Sequence, residues 1–214
     1  HWRLPAQWMY AHLLDGDWGS NALSWQWVSG TFSNKKYIAN QENINRYTQT
    51  NQRGTYLDVD YESLAIAPVP DVLKKPFTVD EVLPFADCDA DALRLAVAKF
   101  GLPMWALDNP IMDDRLVIHN YYQLDPKFQS ALPGTRLLLL EPSVFARYPI
   151  ASHCVDFMLS LATEIPNVQV FVGEFDALMQ SLASPGNVEI VYQEHPMNMH
   201  YQGTEIPRDW LAPE

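Results

Sequence analysis

Cysteine is nearly absent: Cys88 and Cys154 are the two in 214 residues, with no C-x-x-C pair and none of the density of a disulfide scaffold. Two isolated thiols suit a reducing cytoplasm, the expected location. Positive charge is scarce as well. Fourteen Lys and Arg stand against 26 Asp and Glu, for a formal net charge of −12. That balance argues against a stand-alone nucleic-acid binder, because phosphate attraction needs a basic face. No apolar run approaches the ~20 residues of a membrane helix, and no cationic leader with a cleavage site follows His1. The first residue reads as a cut end, so further residues are expected upstream. There is no G-x-G-x-x-G or P-loop, no G-x-S-x-G elbow and no zinc-type spacing around His153, His195 or His200. A phosphate cradle, a serine hydrolase and a metal centre are therefore not expected.

Tryptophan and charge are present but unevenly placed. Trp2, Trp8, Trp18, Trp25 and Trp27 put five of the seven tryptophans in the first 27 residues. Residues 1–54 hold five basic and three acidic residues, net +2, so the remaining 160 carry −14. Two differently built parts are implied. Their expected limits are a helical segment at 1–57, a Pro-containing connector at 58–110 and an α/β domain at 111–214.

In the first part, residues 2–14 read as a short helix that Asp15-Gly16-Asp17 breaks with turn chemistry. Ser20 is placed to cap a second helix running to about Ser29, with Gly30 to stop it. Residues 33–54 are Asn/Gln-rich and read as an ordered loop with a helical turn. A helical turn is expected at Thr78–Glu81, and a short amphipathic helix from Asp89 to Phe100.

From Arg115 the pattern changes to β-rich runs at 115–122, 136–141, 168–174 and 188–194. Helical stretches at 151–165 and 175–183 separate the last three. This alternation predicts a small parallel sheet joined by crossovers. Glu141, Glu174 and Glu194 end three of these runs, where the ligand crevice of a parallel sheet lies. They are also readable as a solvated acidic rim.

The chemistry-bearing stretch is Leu13-Leu14-Asp15-Gly16-Asp17-Trp18-Gly19-Ser20-Asn21-Ala22-Leu23-Ser24-Trp25-Gln26-Trp27. Two carboxylates stand on a tight turn, followed by an amide and an indole one helical turn apart. Taken alone, this is either a capped core helix with structural tryptophans or a polar rim beside a redox-capable aromatic face.

D-G-D, then Asn four residues after the second Asp, then W-Q-W, resembles the flavin-binding segment of DNA photolyases and cryptochromes. Trp2-Arg3, Tyr10 and Leu13-Leu14 fit that family's approach to the turn, and the resemblance covers about the first 60 residues. It implies the tail of a helical FAD-binding domain, with Asp15, Gly16, Asp17 and Asn21 in contact with FAD. It places Asn21 at the flavin N5, Trp25 as the flavin-proximal electron-transfer tryptophan and Trp27 as structural support. The family's remaining pocket walls and most of its DNA groove come from upstream helices, whereas 14 residues precede Asp15 here. Ala39-Asn40-Gln41-Glu42 also stands where the family has an F-N-P segment. FAD and damaged DNA are thus expected partners of the intact parent, a deoxyribodipyrimidine photolyase-like lyase, while this chain alone is expected to bind FAD weakly or not at all and to be inactive. Residues 115–214 resemble, much more weakly, the α/β antenna domain of photolyases, in permuted order. The alternatives are a non-catalytic blue-light photoreceptor and a scaffold or binding module with a vestigial flavin motif. The expected fold class is mixed: a short all-α segment, then an α/β domain with a small parallel sheet.

Overall fold

The computed structural model describes residues 2–32, 37–75, 88–106, 111, 114–182 and 188–208. The chain divides into two compact units, His1–Pro84 and Phe85–Glu214.

The described part of the first unit is helical: α1 (Arg3–His12), α2 (Trp18–Val28), α3 (Gln41–Thr48), α4 (Tyr61–Ile66) and a 3-10 turn at Asp71–Lys74. Three of these helices start in the same way. The side-chain oxygens of Asp17, Asn40 and Asp60 accept from the backbone N–H three residues on, at Ser20, Asn43 and Ser63. Each supplies an acceptor to a helix end that has orphan donors. The cap of α2 is therefore Asp17, not Ser20, because the helix begins at Trp18 and leaves Ser20 inside the first turn. Gly30 adopts a left-handed φ of 76° just beyond the end of α2, as expected for a stop.

The Asn/Gln-rich stretch is held by buried amides. Gln41 is 2% exposed; its N–H donates to the Leu57 carbonyl, its Oε1 accepts from Thr55 Oγ1, and its Nε2 donates to Asn45 Oδ1. Asn40 Nδ2 reaches the Val59 carbonyl at 3.3 Å. Paired in this way, buried amides fix one loop geometry instead of costing stability.

The second unit is built on a five-stranded, all-parallel sheet in the order β3-β2-β1-β4-β5. The strands are β1 (Arg115–His119), β2 (Thr135–Leu140), β3 (Gln169–Val172), β4 (Glu189–Gln193) and β5 (Thr204–Ile206). The mixed class and the parallel sheet are as the sequence predicts. β5 was not foreseen: a three-residue strand with two exposed positions has no periodicity to detect. Gly203 lets it in, since a Cβ there would lie 2.5 Å from the Ile190 carbonyl oxygen.

Helix α5 (Ala90–Lys99) carries Asp89 as its cap and packs on β3 and on α7 (Ser152–Ala162). It therefore belongs to the sheet unit, although its sequence lies within the stretch expected as connector. The helical turn expected at Thr78–Glu81 lies outside the described residues. Between β2 and α7 runs α6 (Pro142–Arg147), and between β3 and β4 runs α8 (Phe175–Ser181).

One core face of the sheet consists of Leu116, Ile118, Leu137, Leu139, Ile190 and Tyr192, closed by Trp105, Phe175, Leu178 and Tyr201. β2 is buried at all six positions, the mark of a central parallel strand covered on both faces. Among the described residues, no helix is long and apolar enough to cross a membrane.

Candidate functional site

The D-G-D turn joins α1 to α2 at close quarters. Gly16 is buried, and a Cβ there would lie 2.6 Å from the Tyr10 carbonyl oxygen and 3.0 Å from that of Leu13. Only glycine allows this approach of backbone to backbone. Its N–H donates to the Leu13 carbonyl at 3.1 Å, and Tyr10 meets Trp18 edge to face with centroids 5.8 Å apart. Ala6, Tyr10, Ala11 and Ala22 are buried residues of this helix pair.

Asp15 is exposed on the turn, while Asp17 is committed to the cap of α2 at 2.6 Å. Asn21 is half-buried, and its Nδ2 donates to the Asp17 backbone carbonyl at 2.8 Å. That bond orients the amide. Trp25 is half-buried one turn on, about 6 Å further along the axis at 1.5 Å per residue. The structure thus groups Asp17 with Asn21 by a direct bond and places Trp25 on the same stripe of α2, with Gly16 as the hinge that makes the turn possible.

The rest of α2 has an unusual surface for a small unit. Apolar side chains run all round it, yet Ala22 is its one buried residue. Leu23 is 56% and Trp27 52% exposed, and Phe32 just beyond is 59% exposed. Trp27 rests edge-on against Tyr37 with centroids 5.3 Å apart. A helix that is apolar on every side belongs inside a larger body, and contiguous apolar surface marks where another surface sits.

In the second unit, the residues at the carboxyl ends of the strands hold one another. Glu141 ends β2 and is 4% exposed. Its carboxylate accepts from Tyr201 Oη at 2.9 Å and from the Phe175 N–H at 3.0 Å, and it pairs with His200 Nε2 at 2.8 Å. Glu174 ends the β3 segment and accepts from Ser143 N and Oγ at 3.0 and 2.6 Å. Each glutamate thus caps the helix that follows the other one, tying the starts of α6 and α8 together. Burial and the adjacent Glu141 carboxylate push the Tyr201 phenol far above its usual range, so it stays a donor. Glu194 is exposed and fits the solvated-rim reading.

The cavity among these groups is lined by Asn120, Tyr122, Glu141, Phe145, Asn198 and Tyr201. Asn120 Nδ2 donates to Asn198 Oδ1 at 2.9 Å, Asn120 Oδ1 accepts from the Tyr122 N–H, and Asn198 Nδ2 donates to the Gln193 carbonyl. His195 stacks on Tyr122 with centroids 4.0 Å apart, and its Nδ1 accepts from the Met197 N–H. No cluster of three or more His, Cys, Asp or Glu able to hold a metal occurs among the described residues. Cys154 is buried and Cys88 half-buried, and neither is in a disulfide. The reciprocal glutamate caps escape a sequence reading, because their partners lie more than 30 residues away and no local spacing marks them.

Searches of the curated proteins and of the solved structures gave no match. The family model described as the FAD binding domain of DNA photolyase matches residues 1–77. Those residues contain the D-G-D turn, the capped α2 and the buried Asn40–Gln41 network, and over that stretch the chain is similar to the FAD-binding domain of DNA photolyases.

Proposed function

We propose that the first unit forms one wall of the flavin pocket of a photolyase/cryptochrome-like protein, with light-driven electron transfer from FAD to a DNA photolesion as the activity of the intact parent. The observation that carries this reading is α2, an apolar helix bearing an oriented amide and an indole on one stripe and buried at a single residue. The match to the photolyase FAD-binding domain over residues 1–77 supports the choice of ligand.

The residues present fit one side of a flavin. When bound, FAD supplies light absorption and one-electron chemistry. Asn21 offers both a donor and an acceptor on one amide, so it can hydrogen-bond a ring nitrogen with or without its proton. The bond to the Asp17 carbonyl fixes that amide in place. Asp15, exposed on the turn, is available to accept from ligand N–H or hydroxyl groups. Trp25 is the electron donor, and Gly16 keeps α1 close enough for the turn to present Asp15 and Asp17 together. A ligand site buries ~70–90% of its ligand, which one helix and one turn do not achieve. The remaining walls, and the DNA groove, are assigned to further protein surface packed on the exposed side of α2.

The second reading, a photoreceptor or scaffold in which the flavin motif serves as core, is favoured by charge: residues 55–214 carry −14. The test is the intact parent, assayed for bound flavin and for light-dependent repair of a thymine-dimer oligonucleotide. Flavin with repair is the expected result. Flavin without repair selects the photoreceptor, and absence of flavin selects the scaffold. Trp25→Phe is expected to block photoreduction of the flavin-loaded parent; unchanged photoreduction removes Trp25 from its role.

A further inference from the structure

His119 closes β1 as a fully buried side chain, and among the described residues neither ring nitrogen has a hydrogen-bond partner. Above it runs the β1–β2 connection, residues 120–134. Phe128 of that connection meets the imidazole edge to face with centroids 5.9 Å apart. The connection is clamped by Arg136 on β2, which is 8% exposed. Arg136 Nη1 donates to the Phe128 carbonyl at 3.0 Å, and Nη2 donates to those of Gln129 and Leu132. At its near end the same connection supplies Asn120 and Tyr122 to the cavity at the carboxyl ends of the strands.

We propose that His119 is an acid-sensitive latch under the β1–β2 connection, whose protonation releases residues 120–134 and opens the cavity at the carboxyl ends of β1, β2 and β4. The physical reason is local. A protonated imidazole here would be a second buried cation beside the Arg136 guanidinium, in a site where neither ring nitrogen is hydrogen-bonded. The other charge bearing on the ring is Asp125, on the connection itself, and the Gln123 backbone also acts on it. Both favour the protonated form, but burial and Arg136 outweigh them and hold His119 neutral, with its pKa lowered to about 4. Once the connection lifts, the ring reaches water and regains its usual affinity for a proton. Opening is thereby coupled to acidification: lowering the pH from 7.5 to 5 is expected to raise the opening equilibrium about 30-fold.

Native-state hydrogen exchange on the 214-residue chain reads this directly, after correction for the intrinsic pH dependence of exchange. Amides of residues 120–134 are expected to open about 30-fold more often at pH 5 than at pH 7.5, and at both pH values to exchange faster than the central β2 amides, which open only by global unfolding. In His119→Phe and His119→Asn the pH dependence of the connection should vanish. Persistence of the effect in either folded variant would overturn the proposal. So would a wild-type effect confined to amides that exchange by global unfolding, since that describes a destabilised core rather than a latch.

Discussion

The two units treat their buried groups in opposite ways. In the sheet unit, the polar side chains at the strand ends are satisfied within the unit apart from His119: Glu141 by three donors, Asn120 by Asn198 and the Tyr122 N–H, and Arg136 by three carbonyls. In the helical unit, the caps and the Gln41 network are satisfied, but the apolar surface of α2 is left out. A unit that pairs most of its buried polar groups internally is built to stand alone. A unit with Leu23 and Trp27 more than half exposed is built to be covered.

The strongest way to break this contrast is to open the closed side. Glu141→Ala leaves the Tyr201 hydroxyl, the Phe175 N–H and His200 without their common acceptor, and the expected cost is about 4 kcal/mol. Denaturant unfolding followed through the sheet unit measures it; a cost under about 1 kcal/mol would mean that the reciprocal caps are not a structural lock.

Acidification acts on the same unit. His119 has a folded pKa of about 4 against an ordinary value of 6.5, so the unfolded chain takes up its proton first. Its contribution to stability is full above pH 6.5 and is lost progressively as the pH falls towards 4. The expected loss is about 3 kcal/mol, absent in His119→Phe, as read from denaturation midpoints across that range.

In the helical unit, Gly16→Ala drives a methyl into the Tyr10 and Leu13 carbonyls and is expected to cost about 2 kcal/mol. Loss of the α1–α2 pairing by circular dichroism would accompany it, with the sheet unit unaffected. The smallest effect belongs to the uncovered face. Leu23→Gln should change the stability of the 214-residue chain by no more than about 0.5 kcal/mol, since the side chain is already exposed. The same substitution should weaken flavin retention in the intact parent. A large stability loss in the chain alone would show that α2 is already covered.

What the sequence made legible followed period and spacing. The parallel sheet came from apolar β-rich runs alternating with helices, and D-G-D followed by Asn21 and Trp25 marked the turn and the helix stripe. The cap of α2 was misplaced by three residues, because Ser20 and Asp17 are both good capping residues and only the helix start decides between them. β5 was too short and too exposed to carry a pattern. The roles of Glu141 and Glu174 depend on contacts across the sheet that no local pattern encodes: the two exchange helix caps, and Glu141 also lines the cavity at the strand ends. His119 stood out in the sequence only as a polar residue inside the first β-rich run, near the possible ligand crevice, and its isolation appears once Phe128 and Arg136 are folded over it.

The central claim is that the helical unit is one wall of a flavin site and requires further protein to complete it. Equilibrium titration of FAD into the purified 214-residue chain, followed by flavin absorbance and tryptophan fluorescence, tests it most directly. The account predicts weak or undetectable binding, with no flavin retained through gel filtration. A tight one-to-one complex with a stoichiometric yellow flavin spectrum would contradict it, because α2 and its turn would then already form a closed pocket.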